Sequence, residues 1–126
     1  MSCLFNSLSL LLKDELSQQN ITNLRLFLCD YIITHKHDLL KNEDIGTWIL
    51  YSALDRGLSF DAYITEMRKS HTWGGAPEIA LVSKLFNVDI EIYNTQNQCI
   101  SVFQNHNGSC YKTIKLYYNG NHYTYT

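Results

Sequence analysis

No two cysteines in this chain stand in a C-x-x-C arrangement, and that absence removes the commonest zinc and dithiol signatures. Cys3, Cys29, Cys99 and Cys110 lie far apart, and neither Cys29 with His35 and His37 nor Cys99 with Cys110 has a familiar ligand spacing. No metal is therefore expected. Proline occurs once, at Pro77, and the chain has no Pro/Ser-rich linker, low-complexity tract or repeat. Nothing marks a domain boundary, and 126 residues with 45% apolar composition suit one core, so residues 1–126 are expected to form a single domain. No apolar run approaches the length of a membrane span. The stretch Leu8–Leu12 has no basic residue ahead of it, and Lys13-Asp14-Glu15 follows where a signal peptide would have a small-residue cleavage site. It reads as a first buried helix, which makes a reducing, cytoplasmic setting the expectation and leaves the sequons at Asn20 and Asn107 without meaning. Basic clusters are missing too. With a formal charge of −2, a pI near 6.2 and scattered Lys and Arg, no nucleic-acid partner is expected.

What the chain does contain is helical periodicity first and strand periodicity last. Leu4, Leu8, Leu11 and Leu12 share one helical face, and Leu24, Phe27, Leu28, Tyr31 and Ile32 repeat with the same period, with Asn20 or Thr22 as the expected cap. A third helix is predicted from about Glu43 to Leu54, ended by Gly57, and a short fourth from Phe60 to Met67. Pro77 suits a first helical position and Glu78 complements the dipole there, so a fifth helix is predicted to run to about Phe86. From Val88 the period becomes two: Val88, Ile90 and Ile92, then Ile100, Val102 and Gln104, then Ile114, Leu116 and Tyr118. Asn119-Gly120 predicts a two-residue hairpin joining Thr113–Tyr118 to Asn121–Tyr125. Helices followed by strands imply an α+β fold.

Two residues at opposite ends carry chemistry. Cys3 stands where the first helix begins, and a thiol at a helix N-terminus is stabilised as thiolate by the unpaired N–H groups there. His122 stands where the last strand begins and can act as a base toward such a thiol. The spacing of the pair says little by itself, since buried cysteines are usually inert packing residues.

The blocks between and around them say more. Ser2-Cys3-Leu4-Phe5-Asn6-Ser7-Leu8 resembles the nucleophile helix of the OTU (ovarian tumour) cysteine proteases, and Leu24-Arg25 with Tyr31-Ile32 is similar to that family's second helix. Tyr63-Ile64-Thr65-Glu66-Met67, Thr72-Trp73-Gly74-Gly75, Glu78-Ile79-Ala80-Leu81 and Ile90-Glu91-Ile92-Tyr93 follow in the family's order, and Asn121-His122-Tyr123 resembles its catalytic histidine segment. The resemblance implies a papain-like fold with a small twisted sheet packed between helices, and a monomer that needs no cofactor. It implies a thiol-dependent deubiquitinase acting after the C-terminal Gly-Gly of ubiquitin or a ubiquitin-like protein, with Cys3 as nucleophile, His122 as base and backbone N–H groups near Cys3 holding the oxyanion. Trp73, Gly74 and Gly75 are either the channel for that Gly-Gly tail or a tight turn with Trp73 in the core.

The chain departs from the family pattern in two places. An Asp or Asn usually stands two positions after the histidine, where this chain has Thr124, a neutral group able to accept an imidazole N–H bond. An acidic residue usually precedes the cysteine, where this chain has two residues only. Three expectations stay open: residues upstream of Met1 complete the site, another side chain orients the histidine, or catalysis is impaired. The alternatives to a deubiquitinase are an impaired OTU fold serving as a ubiquitin-binding or scaffold module, and a polyprotein-processing protease of the viral type.

Overall fold

A computed structural model describes residues 3–104 and 112–125, and of Cys3 the backbone alone. Two helices open the chain, α1 (Cys3–Leu11) and α2 (Lys13–Gln18), and Leu4, Leu8, Leu12 and Leu16 are buried along them. Asn20 does not cap the next helix; it takes a positive φ of 56°, a conformation Asn tolerates well, in the turn after α2. The cap of α3 (Leu24–Thr34) is Asn23, whose side chain accepts the Leu26 N–H at 3.1 Å.

A hairpin that periodicity did not suggest comes next, β1 (Leu39–Leu40) with β2 (Glu43–Asp44), turning at Lys41 with φ 64°. Its two-residue strands are too short to leave a pattern. It displaces the predicted start of the third helix: Asp44 is the cap of α4 (Ile45–Asp55), accepting the Thr47 N–H at 2.7 Å. Gly57 ends that helix with φ 70°, as its position suggests. Ser59 caps α5 (Phe60–Met67). The sixth helix, α6 (Ala76–Phe86), follows, with Pro77 one place further in than predicted and Asn87 in the left-handed conformation closing it.

The main sheet has the order β4-β3-β5-β6, from β3 (Val88–Tyr93), β4 (Cys99–Phe103), β5 (Lys112–Tyr118) and β6 (Tyr123–Thr124). β3 lies antiparallel to β4 and parallel to β5, with Ile90 beside Ile114 and Ile92 beside Leu116. These four and Val88 are buried with Ile79, Val82 and Phe86 of α6 and Leu4 and Leu8 of α1 in one core. On β4 the expected series is on the wet side: Ile100 and Val102 are exposed, whereas Phe103 packs against the core. Gln104 lies beyond the strand. The architecture is α+β, as the order of periodicities implies.

The first and last elements meet. α1 packs on β6, Ser7 Oγ donates to the Tyr123 carbonyl at 3.4 Å, and Lys112 on β5 binds the Leu11 carbonyl and the Glu15 carboxylate.

Candidate active site: a cleft between the first helix and the last hairpin

Cys3 is the first residue of α1, a nine-residue helix. The neighbouring Leu4 and, from the far end of the chain, His122 line one cleft of about 230 Å³. Trp73, Gly74, Gly75 and Arg56 form the other side of it.

The last hairpin holds His122 differently from the sequence expectation. β5 and β6 pair through Tyr118 with Tyr123 and Tyr117 with Thr124, so residues 119–122 form a four-residue loop and His122 is its last member. Of the Asn-Gly pair only Gly120 has a positive φ, 100°. The side chain of Asn119 organises the loop, its Oδ1 accepting the N–H groups of Asn121 at 2.9 Å and His122 at 2.8 Å. The Asn119 N–H donates to the His122 carbonyl at 3.2 Å, and the Tyr118 hydroxyl donates to the Gly120 carbonyl. The backbone of His122 is thus fixed on both sides, a role for Asn119 that an Asn-Gly turn signal does not reveal.

Trp73 is not core. It is 55% exposed, and its ring stands 6.1 Å from the imidazole of His122, tilted by 58°. Gly74 sits where a side chain has no room: a Cβ there would come within 2.8 Å of the Phe5 ring and 2.9 Å of Leu4. Gly74 therefore lets segment 73–75 lie directly on the first turn of α1. A Cβ on Gly75 would meet nothing within 4 Å.

Two arginines and one glutamate hold that segment and the loop that leads into it. The buried Arg25 of α3 donates to the carbonyls of Met67 at 2.8 Å, Thr72 at 2.8 Å and Ser70 at 3.3 Å, and its guanidinium lies 4.2 Å from the centre of the Phe5 ring. Desolvation lowers its pKa from the ordinary value, although the fixed fork of donors matches the three carbonyls. Arg56 donates to the Trp73 carbonyl at 2.9 Å. Glu78, expected to complement the dipole of this helix, is 0% exposed. Its Oε1 accepts the Gly75 N–H at 2.7 Å, the carboxylate half of a capping box, and its Oε2 accepts the Tyr63 hydroxyl at 2.8 Å. Burial pushes the Glu78 carboxyl up from its ordinary value, opposed by those two bonds and by the charge of Arg56. The Glu-three-after-Gly spacing ahead of an apolar run carried this signal in the sequence; the partner on α5 did not show.

Thr124 is exposed on β6 and lines, with His122, Asn94 and Asn119, a second hollow of about 240 Å³ on the other side of the hairpin. Cys29 is fully buried on α3 and Cys99 is exposed on β4, both as free thiols. His35 stacks on Tyr31 at 3.9 Å, and His37 and His71 are exposed. His106 and Cys110 lie outside the described residues. Among the described residues no group of three or more His, Cys, Asp or Glu is placed to hold a metal, and no helix is long and apolar enough to cross a membrane.

Residues 2–124 match the family model described as OTU-like cysteine protease. The chain belongs to this family. The OTU domain is similar to the mouse protein named ubiquitin thioesterase OTU1, 36% identical over 75 residues, which is 60% of this chain and 22% of that protein. The zebrafish (Danio rerio) protein of the same name is 34% identical over 73 residues, 58% of this chain and 24% of that one. This chain therefore spans, in its matched part, about a fifth to a quarter of the curated relatives' length. Its fold resembles the viral OTU domain protease from Farallon virus with a TM-score of 0.58 at 18% identity, over 96% of this chain and 75% of the viral one.

Proposed function

We propose that the chain is a thiol-dependent deubiquitinase that hydrolyses the bond after the C-terminal Gly-Gly of ubiquitin or a ubiquitin-like protein, with Cys3 as nucleophile and His122 as base. The observation that carries this reading is the shared cleft, in which Leu4, the residue after Cys3, and His122 face segment Trp73–Gly75. A helix N-terminus lowers the pKa of a thiol placed there, and α1 begins at Cys3. Gly74 and Gly75 offer a wall without side chains to a substrate tail that likewise has none.

In the reaction the Cys3 thiol gives its proton to the imidazole and the sulfur attacks the Gly carbonyl. Backbone N–H groups at the start of α1 hold the oxyanion. The tetrahedral intermediate collapses with the imidazolium proton going to the leaving amine, which leaves a thioester. Water, deprotonated by His122, then cleaves the thioester and restores the thiol.

Steady-state hydrolysis of a fluorogenic amide at the C-terminus of ubiquitin tests this. Turnover by the wild type that falls by roughly a thousandfold or more in Cys3→Ala and in His122→Ala is expected for residues acting as one unit. Full turnover in either variant contradicts the assignment. Thr124 in the usual place of an Asp or Asn favours a second reading, an impaired OTU fold that binds ubiquitin. Saturable binding of ubiquitin without turnover is its signature.

A further inference from the structure

A closed circuit of contacts runs behind the glycine wall of the cleft. The Glu78 carboxylate takes the Gly75 N–H with one oxygen and the Tyr63 hydroxyl with the other. The Tyr63 ring lies 5.2 Å under the guanidinium of Arg56, and Arg56 returns to the same segment by donating to the Trp73 carbonyl. The backbone Trp73–Gly74–Gly75 closes the ring. Its two tethers grip the segment at either end, one by an N–H and one by a carbonyl. Glu78 and Tyr63 are buried, whereas Arg56 and Trp73 are at the surface. On the cleft side Trp73 stands against His122.

Gly74 gives the wall its closeness to α1, but the glycine pair gives it no rigidity, because two adjacent residues without Cβ atoms have a wide choice of backbone angles. A wall meant to receive an extended tail must have that freedom removed beforehand, since ordering it on binding costs affinity. We propose that Arg56 and Glu78 are positioning residues that lock Trp73–Gly75 in its tail-receiving conformation. Tyr63 couples the surface tether to the buried one. This rests on the deubiquitinase reading above, because it takes the wall to be the seat of the Gly-Gly tail. Neither residue touches the reacting atoms, so their loss acts on substrate capture more than on the chemical step.

The test compares the wild type with Arg56→Ala, Glu78→Ala and Glu78→Gln in hydrolysis of the fluorogenic ubiquitin amide, with alkylation of Cys3 by chloroacetamide followed in parallel by mass spectrometry. Arg56 is exposed, so its removal leaves the core intact. For Arg56→Ala, KM is expected to rise about tenfold with kcat held within about twofold, the loss of one charge-assisted hydrogen bond in a preformed wall. The alkylation rate of Cys3 should stay near that of the wild type. KM should rise in Glu78→Ala as well, and Glu78→Gln, which keeps an oxygen for the Gly75 N–H, should reverse most of that rise. Unchanged KM in Arg56→Ala overturns the proposal, as does a fall confined to kcat or to thermal stability. Wild-type protein that binds ubiquitin without turnover shifts the comparison to Kd, where the same loss is expected and equal affinity overturns it. Wild-type protein that neither binds nor turns over overturns the parent reading, and this one with it.

Discussion

Asn119 and Cys29 show how far a residue's surroundings decide its part. Asn119 was legible as a turn residue, but the turn is set by its side chain accepting two N–H groups, one of them from His122. Asn119→Ala removes both and loosens the His122 backbone in an exposed loop, although the His122 carbonyl keeps the N–H of residue 119. It should lower kcat for the ubiquitin amide about fivefold or more while leaving the melting temperature nearly unchanged, since the loop carries little core. Equal loss of stability and activity would show that the loop serves the fold instead. Cys29 has the opposite character. Burial pushes its thiol up to about 11, so near neutral pH it is both protonated and unreachable. Timed alkylation near neutral pH should modify exposed Cys99, and Cys3 fastest under the proposed chemistry, with Cys29 reacting only after denaturant is added. The sequence supplied the apolar face of Cys29 but could not rank the thiols, because reactivity depends on charge and exposure that only the fold sets.

At the scale of elements, local chemistry is legible in the sequence and strand pairing is not. The ends of α4 and α6 and both bounds of α5 fall where local patterns predict them, and the structure shows why: Gly57, Asn87 and Ser59 each act on their own neighbours. The start of α3 is capped by Asn23, because the earlier polar candidate Asn20 is occupied by the turn that ends α2. The alternation on β4 misled, since a period of two does not say which set faces inward, and Phe103 is the inward one. The parallel partnership of β3 with β5 joins segments separated by β4, and no local signal encodes it. Close approach of elements gives a sharp contrast between adjacent glycines. Gly74→Ala drives a methyl against Phe5 and Leu4 of α1 and should cost about 1–3 kcal/mol of stability together with most of the turnover. Gly75→Ala enters open space and should leave the melting temperature within a few degrees of wild type. Similar melting curves for the two, measured by calorimetry or circular dichroism, would show that segment 73–75 does not lie on α1 in solution.

At the scale of the molecule, the fold brings the first helix and the last hairpin to one cleft. Ser7 reaches Tyr123, Lys112 reaches Leu11 and Glu15, and Arg25 ties the 67–72 loop to Phe5. None of these long-range bonds was readable from spacing, and neither was the buried pairing of Tyr63 with Glu78. The ordered blocks resembling the OTU proteases stood in for them, because a family's sequence pattern records contacts that a single sequence cannot display. What the fold adds is the wall at Trp73–Gly75 and its tethers, together with a histidine held by Asn119 rather than by a strand. The central claim, that Cys3 attacks the carbonyl at the end of a ubiquitin-like tail, is tested most directly by a ubiquitin whose C-terminus carries an electrophile. The account predicts a stable covalent adduct, mapped by mass spectrometry to Cys3, lost in Cys3→Ala and slowed in His122→Ala. An adduct on Cys99, or none with wild-type protein that is folded, would contradict it.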